Sequence, residues 1–426
     1  MWKLILCSIA VVLFASQGAL GAAGTLDSSF GGTGIVTTGF GVDVRPSAVA
    51  IDGNGNIVVS VTVGDSATSI ALVRYLRSGR LDSTFGSGGI VSETFQDQTN
   101  EAEGIIIQPD GKIVLEAFTG NTTGTIAQSL LVRFNSNGAL DTSFGSNGQL
   151  VLSYPAPAPY SASPAATVLE PSGELMVLFS LTPPRHNPSP VLTALARYTA
   201  GGALDSNFGT GGRSAAVSLG ALPVCMGLLS NGNVLVVTSA SKTTEFSSAG
   251  IELSAVSAGT IVANSSSVGP LPSPIFLSNS DFLVLSSAQG PIGRHDIDST
   301  VVRFLPAGSV DPDFVSTLFD FAPSNSALTS VAEAIAVAPN GQIAVGGEAT
   351  GLANSSVGFG VARLNSNGTL DTTFGNAGIA TTPLPKGGQA LGVAVQADGK
   401  VLAVGQKFSG DTAIPLDLVV IRYLGQ

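Results

Sequence analysis

Tryptophan, cysteine, histidine and charge are all scarce in this chain. Among 426 residues there is one Trp, Trp2, and there are two Cys, Cys7 and Cys225, and two His, His186 and His295; only 11 % of the residues are charged. Trp2 and Cys7 lie in an N-terminal leader. Once that is removed, no Trp remains to build a carbohydrate-stacking platform, and one thiol cannot form an internal disulfide. Cys225 sits in the apolar stretch Leu222–Met226 and is expected to be a buried, inert thiol. The 18 basic residues are outnumbered by 29 acidic ones, for a net charge of −11, which argues against a nucleic-acid partner. The acidity is spread thinly and reads as solubility. After the leader no apolar run reaches the ~18 residues of a membrane helix. No stretch sustains a 3.6-residue apolar period, so little or no helix is expected. The nucleophile-elbow, zinc-protease and phosphate-loop motifs are missing as well.

The leader has a basic start, Lys3, an apolar run from Leu4 to Phe14, and small residues at Ala19, Gly21, Ala22 and Ala23. This is signal-peptide grammar, with cleavage expected near 21–23. Cys7 lies inside the apolar run rather than at its end, which argues against a lipoprotein. The chain therefore reads as a signal peptide, 1–23, and a single folded unit, 24–426, secreted or held in the cell envelope.

What the chain has in abundance is one phrase. Its pattern is Arg, an aromatic or Leu, three variable residues, Gly, one residue, Leu, Asp, two residues, Phe. It is clearest from Arg133-Phe134 through Gly138, Leu140 and Asp141 to Phe144-Gly145. The Arg and Asp recur as Arg74 and Asp82, Arg133 and Asp141, Arg197 and Asp205, Arg303 and Asp311, and Arg363 and Asp371, about 60 residues apart wherever successive copies are present. Between copies stands an apolar strand, a Gly turn and another apolar strand, as in Ala48–Val59 and Ala394–Leu402. Asp-Gly or Asn-Gly between β-branched residues is a strong hairpin signal. Seven such hairpins are countable, the weakest at Ile275–Leu283. Each unit reads as four strands; in the first they are Pro46–Ile51, Asn56–Thr62, Ser69–Leu76 and Gly89–Phe95. The expected fold is all-β, a seven-bladed propeller of four antiparallel strands per blade.

One unit, read as the fifth blade, is degenerate. With Gly259 on the glycine position, Ser254 takes the Arg place, Val262 the Asp place and Ser265 the Phe place. The joint loss of Arg and Asp suggests that they are partners, since a guanidinium and a carboxylate can pair bidentately and losing one strands the other. The two ends of the chain complete the pattern. Gly24-Thr25-Leu26-Asp27 through Phe30 begins in mid-phrase, and Arg422-Tyr423-Leu424-Gly425-Gln426 stops in mid-phrase. Joined, they make Arg422 and Asp27 the sixth pair. The last blade is then shared by 24–45 and 391–426, the strand near Gly34–Phe40 closing the ring and hiding sheet edges.

The phrases Gly138–Gly145 and Gly368–Gly375, with Asp110-Gly111-Lys112-Ile113-Val114 and Asp398-Gly399-Lys400-Val401, resemble the delta-60 repeat. The resemblance implies an exported bacterial β-propeller of uncharacterised function and offers no catalytic residue. This chain departs from that pattern in the Asp-Phe-Ala before the Arg strand; Asp417-Leu418 is its nearest match.

Function is less legible. In a propeller blade the first-to-second and third-to-fourth connections share one face, and the remaining connections the other. The irregular insertions fall on the latter: Ser153–Tyr160, Thr182–Pro188 and Gly290–Asp298. They supply the candidate ligand-face residues Tyr160, Arg185, His186, Arg294, His295 and Asp296, suited to an anionic or sugar ligand. A metal is the further functional reading, but solvated loops are the plainer account, because a metal site needs three or four converging ligands. Asp52–Asn56 is faintly like a calcium loop but reads as a hairpin turn. The acidic loop Asp97–Glu103 has the composition to hold a cation, though a solvated cluster is the plainer reading. No catalytic, cofactor-binding or metal residue is assigned, and no cofactor is expected. The expectation is a monomeric, non-enzymatic binding or scaffolding propeller with a protein or glycan ligand; the alternative is a lyase or hydrolase at the mouth of the central channel.

Overall fold

A computed structural model describes residues 21–64, 68–95, 98–121, 127–239, 242–257, 275–289, 297–321, 330–352, 356–408 and 416–425. The leader lies mostly outside these residues, and so do Arg294, His295 and Asp296. The described residues form strands and turns without a helix.

The strands group into seven sheets. Blade 1 is β2 (Val44–Ile51), β3 (Ile57–Val63), β4 (Ser69–Tyr75) and β5 (Ile90–Glu93). Blade 2 is β6 (Gln98–Ile107), β7 (Ile113–Asn121), β8 (Ala127–Phe134) and β9 (Gln149–Val151). Blade 3 is β10 (Ser161–Leu169), β11 (Leu175–Thr182) and β12 (Leu192–Tyr198). Blade 4 is β13 (Pro223–Leu228), β14 (Val234–Thr238), β15 (Lys242–Phe246) and β16 (Glu252–Ser257). Blade 5 is β17 (Ile275–Phe276), β18 (Phe282–Gln289), β19 (Ile297–Phe304) and β20 (Leu318–Phe319). Blade 6 is β21 (Val331–Val337), β22 (Ile343–Leu352), β23 (Ser356–Leu364) and β24 (Ile379–Pro383). Blade 7 is β25 (Gly388–Val395), β26 (Val401–Lys407) and β27 (Asp417–Tyr423), with β1 (Ile35–Thr38) as its fourth strand. All pairings are antiparallel, including β1 on β27, where Ile35 faces Ile421 and Thr38 faces Leu418.

First strands of neighbouring blades touch, β2 with β6 and β25, β10 with β13, and β21 with β25, so they form the inner ring. The core lies between blades. Successive side chains of a strand point to opposite faces. Val58 accordingly packs with Leu115 and Val132 of blade 2, while Val59 packs with Leu402 and Val420 of blade 7. A strand covered on both faces must be apolar throughout, and β3 is buried from Ile57 to Thr62. Six of the seven first strands, all but β17, also bulge at one place, at Ser47, Glu103, Ala165, Val224, Glu333 and Leu391.

Three expectations need correction. Blade 3 has three strands, not four; residues 213–217 lie along β12 through isolated bridges, Ala196 with Arg213 and Thr193 with Val217. The degenerate unit is the fourth blade, and its register is different. Glu245 faces Leu235 on β14 as Arg133 faces Val114 on β7, so Glu245 stands at the Arg position and Gly250 at the glycine. The Asp-x-x-Phe-Gly turn is absent there, since β16 begins two residues after Gly250. Counting from Gly259 missed this because the shortened connection slides the whole phrase; Gly259, Val262 and Ser265 lie outside the described residues. Finally, the acidic stretch is not a loop: from Gln98 onward it is β6, with Glu101 beside Arg45 at 3.7 Å.

Candidate functional site

The repeated phrase forms a joint between blades. In six blades the Arg Nε donates to the Asp Oδ2, at 2.5 to 2.9 Å: Arg74 to Asp82, Arg133 to Asp141, Arg197 to Asp205, Arg303 to Asp311, Arg363 to Asp371 and Arg422 to Asp27. The other Asp oxygen, Oδ1, accepts the backbone amide two residues on, as at Ser143 (3.1 Å), which holds the turn. Burial alone would raise Asp82, but the Thr84 hydroxyl and amide and the Arg74 guanidinium outweigh it and hold the carboxyl below the usual range. The guanidinium also lies over the phrase's Phe ring, 4.4 Å from the centroid for both Arg74 on Phe85 and Arg133 on Phe144.

The same guanidinium reaches the next blade. Its Nη1 donates to the backbone carbonyl three residues past that blade's Arg position: Arg74 to Ser136, Arg133 to Ala200, Arg422 to Arg77, Arg197 to Ser248 (3.1 Å; the position is Glu245 in that blade), Arg303 to Ser366 (3.1 Å) and Arg363 to Gly425 (2.5 Å). The Phe presses against the next blade's turn glycine. A Cβ on Gly202, at φ +86°, would sit 3.0 Å from the Phe144 ring and from Gly145 N. At two seams a tyrosine ties backward: Tyr75 Oη bonds Thr38 Oγ1 at 2.6 Å, and Tyr423 Oη bonds Thr382 Oγ1 at 2.7 Å. Arg, Asp and Phe are therefore occupied with the scaffold. The Asp52 turn is likewise self-contained, its carboxylate accepting from Asn54 and Asn56 amides.

On the opposite face the structure brings together two loops of blade 3. Tyr160 Oη donates to Pro190 O at 3.0 Å, tying the loop before β10 to the loop after β11. Tyr154 Oη donates to Ser214 O at 2.8 Å, and its ring lies 5.7 Å from Phe179. The Pro184–Ser189 loop is a turn, with Asn187 N on Pro184 O and Ser189 N on Asn187 Oδ1, both at 2.9 Å. His186 sits at its tip with φ +71°, a conformation few side chains adopt. Arg185 and His186 are exposed. Cys225 is buried between blades 4 and 5, where burial pushes its thiol up to about 12, far from a nucleophile's range.

One residue escaped sequence reasoning. Position 116 on β7 is occupied in the other blades by Ser60, Leu178, Val237, Leu285, Gly346 and Val404, as the strand pairings align them. Here it is Glu116. Its signal was a carboxylate in a hairpin strand where the repeat places aliphatic or small residues, visible only once the units are aligned.

Two stretches, 108–144 and 338–374, match the family model described as domain of unknown function DUF5122, a β-propeller. Each spans the middle two strands and the Asp-x-x-Phe turn of one blade. No curated protein matches the chain. Similar solved structures include a protein of unknown function from Bacteroides caccae, at 16 % identity and TM-score 0.31, covering 79 % of this chain and 86 % of that one. Another, from Dyadobacter fermentans, has 10 % identity and TM-score 0.43, with 92 % and 98 % covered. YCF48 from Cyanidioschyzon merolae has 9 % identity and TM-score 0.44, with 91 % and 98 % covered. At these values the likeness says nothing of activity or ligand.

Proposed function

We propose that this chain is an exported, non-enzymatic binding or scaffolding propeller, and that it reads a protein or glycan ligand with the irregular loops opposite the repeated turns. The observation that carries this reading is the bond from Tyr160 to Pro190, which locks two separate connections of blade 3 into one platform. Loops ordered before binding lose less freedom on binding. Arg185 and His186 stand exposed on that platform. An Arg fork suits a carboxylate or phosphate on either ligand class. The apolar leader, Leu4–Phe14, supports a place outside the cytoplasm.

The test is a screen of the exported chain against peptide and glycan arrays, followed by titration of any hit with Tyr160→Phe and with the Arg185→Ala/His186→Ala double variant. The double variant is expected to weaken binding about tenfold or more, in line with a charged interface contact. A hit bound equally well by both variants would move the site off this face. Turnover of a hit by the wild type would replace the binding reading with an enzymatic one.

A further inference from the structure

A groove of about 500 Å³ lies between the hairpin turns of blades 7 and 1, on the face of the repeated turns. That is the size of a small-molecule site. Its lining includes Asp52 and Arg77 of blade 1 and Gln396, Asp398, Lys400 and Arg422 of blade 7. Arg77 departs from the repeat. Its carbonyl takes the tie from Arg422, as Ser136, Ala200, Ser248, Ser366 and Gly425 take theirs. Those residues are small, and blade 1 alone carries a long cation there. Elsewhere this side chain only touches the hairpin glycine beside it. A Cβ on Gly111 would lie 3.6 Å from Ser136 Cβ, and one on Gly173 would lie 3.7 Å from Ala200 Cβ. In blade 1 the guanidinium itself lies over the glycine: a Cβ on Gly55, at φ +77°, would stand 2.6 Å from Arg77 Cζ.

The donors lining this groove are not all matched. Arg77 Nε donates to Asn54 O at 2.8 Å, which fixes the side chain across the hairpin. A guanidinium has five N–H groups. The other four of Arg77 have no acceptor among the described residues, and no carboxylate there pairs with it. Gln396 is 7 % exposed, and its Oε1 accepts from Arg422 Nη1 at 3.4 Å. Gln108 holds the same place between blades 2 and 3, and its Nε2 donates to Gly173 O at 3.5 Å. Gln396 Nε2 makes no such bond among the described residues. The acidic groups nearby are engaged elsewhere. Asp52 accepts from Asn54 N, Asn56 N and Asn56 Nδ2 at 2.8 to 2.9 Å. Lys400 Nζ stands 3.2 Å from Asp27 and 3.3 Å from Asp398. The Asp398 side chain is still 56 % exposed, so it keeps acceptor capacity on the groove wall.

We infer that this groove binds a sugar acid, its carboxylate taken by the Arg77 fork and Gln396 Nε2 and its hydroxyls donating to Asp398. A planar guanidinium matches a carboxylate. A phosphate dianion would bring a second negative charge beside Asp52 and Asp398. An uncharged sugar would leave the Arg77 fork unmatched. The site lies on the face opposite the Tyr160–Pro190 platform and stands independently of the function proposed for that platform.

The experiment is calorimetric titration of the exported chain with glucuronate and digalacturonate, beside their uncharged counterparts glucose and galactobiose and beside inorganic phosphate. One site is expected for at least one of the acids, with Kd on the order of 10⁻³ M, as suits a small ligand held by a few polar contacts. Its uncharged counterpart and phosphate should bind at least tenfold more weakly. Arg77→Ser installs the residue of blades 2, 4 and 6, so it should melt at the wild-type temperature and lose at least tenfold in affinity. The Arg185→Ala/His186→Ala double variant should bind as the wild type does. A wild type that binds neither acid overturns the inference, as does equal or tighter binding of the uncharged sugar or of phosphate. Acid binding that survives Arg77→Ser, or that is lost in the double variant, places the ligand elsewhere and overturns it equally.

Discussion

Six seams of the ring are built alike, and the seam between blades 4 and 5 is not. At a standard seam, such as that between blades 2 and 3, Arg133 holds Asp141 in its own blade and the Ala200 carbonyl in the next, and Phe144 plugs against Gly202. In blade 4 the Arg position is Glu245, whose carboxylate accepts from Asn233 at 2.5 Å and Asn231 at 3.4 Å. The Asp position is Leu253, 53 % exposed, and the turn that carries the Phe is missing. The carbonyls that would receive the tie, Pro306 and Ala307, accept no backbone or Arg bond from blade 4 among the described residues. The contrast shows what the phrase is for. Where Arg is lost, Asp and the Phe turn go with it, because the three work as one part.

Breaking a standard tie should have the largest effect. Arg133→Leu leaves buried Asp141 with Lys112, 3.0 Å away, as its remaining cation, and is expected to cost about 3 kcal/mol, read as the shift in urea midpoint. Adding Asp141→Leu should restore a good part of that loss; fully additive losses would exclude direct coupling. Phe144→Ala opens the plug and should cost about 3–5 kcal/mol. Gly202→Ala adds a Cβ at φ +86° against that plug and should cost about 1–3 kcal/mol.

Acid tests all six ties at once. The folded-state pKa of each tie aspartate is lowered, so its stabilisation is complete above the unfolded value, about 4, and is lost as pH falls through the folded value. The melting temperature should therefore hold above pH 5 and drop steeply below about 4, and Asp141→Asn should blunt part of that drop. The smallest effect belongs to blade 4. Glu245→Gln keeps an acceptor for Asn231 and Asn233 and should change stability by less than about 1 kcal/mol. Glu245→Arg should give no gain, since no Asp awaits it.

The sequence disclosed the parts whose partners are side chains at fixed spacing. Arg133 and Asp141 recur eight residues apart and vanish together, which is enough to infer the pair. The hairpins announce themselves through Asp-Gly and Asn-Gly turns, and the closure of β1 on β27 through the two half-phrases. The second half of the joint stayed hidden because its acceptor is a backbone carbonyl in another blade, and a carbonyl leaves no trace in residue identity. Blade 4 was misread because a shortened turn moves the register without altering the local composition. On the loop face, Arg185 and His186 were visible as residues, but their support from Tyr160 depends on a carbonyl thirty residues away.

The central claim is that the phrase fastens each blade to the next, and one set of amides isolates it. In blades 2 to 6 the turn glycine donates to the carbonyl three residues earlier, Gly138 to Asn135, Gly202 to Thr199, Gly250 to Ser247, Gly308 to Leu305 and Gly368 to Asn365. These local bonds are alike; only the tie from the preceding blade differs. Native-state hydrogen exchange should find Gly308 the least protected of the set. Protection of Gly308 equal to that of Gly138 and Gly202 would contradict the account.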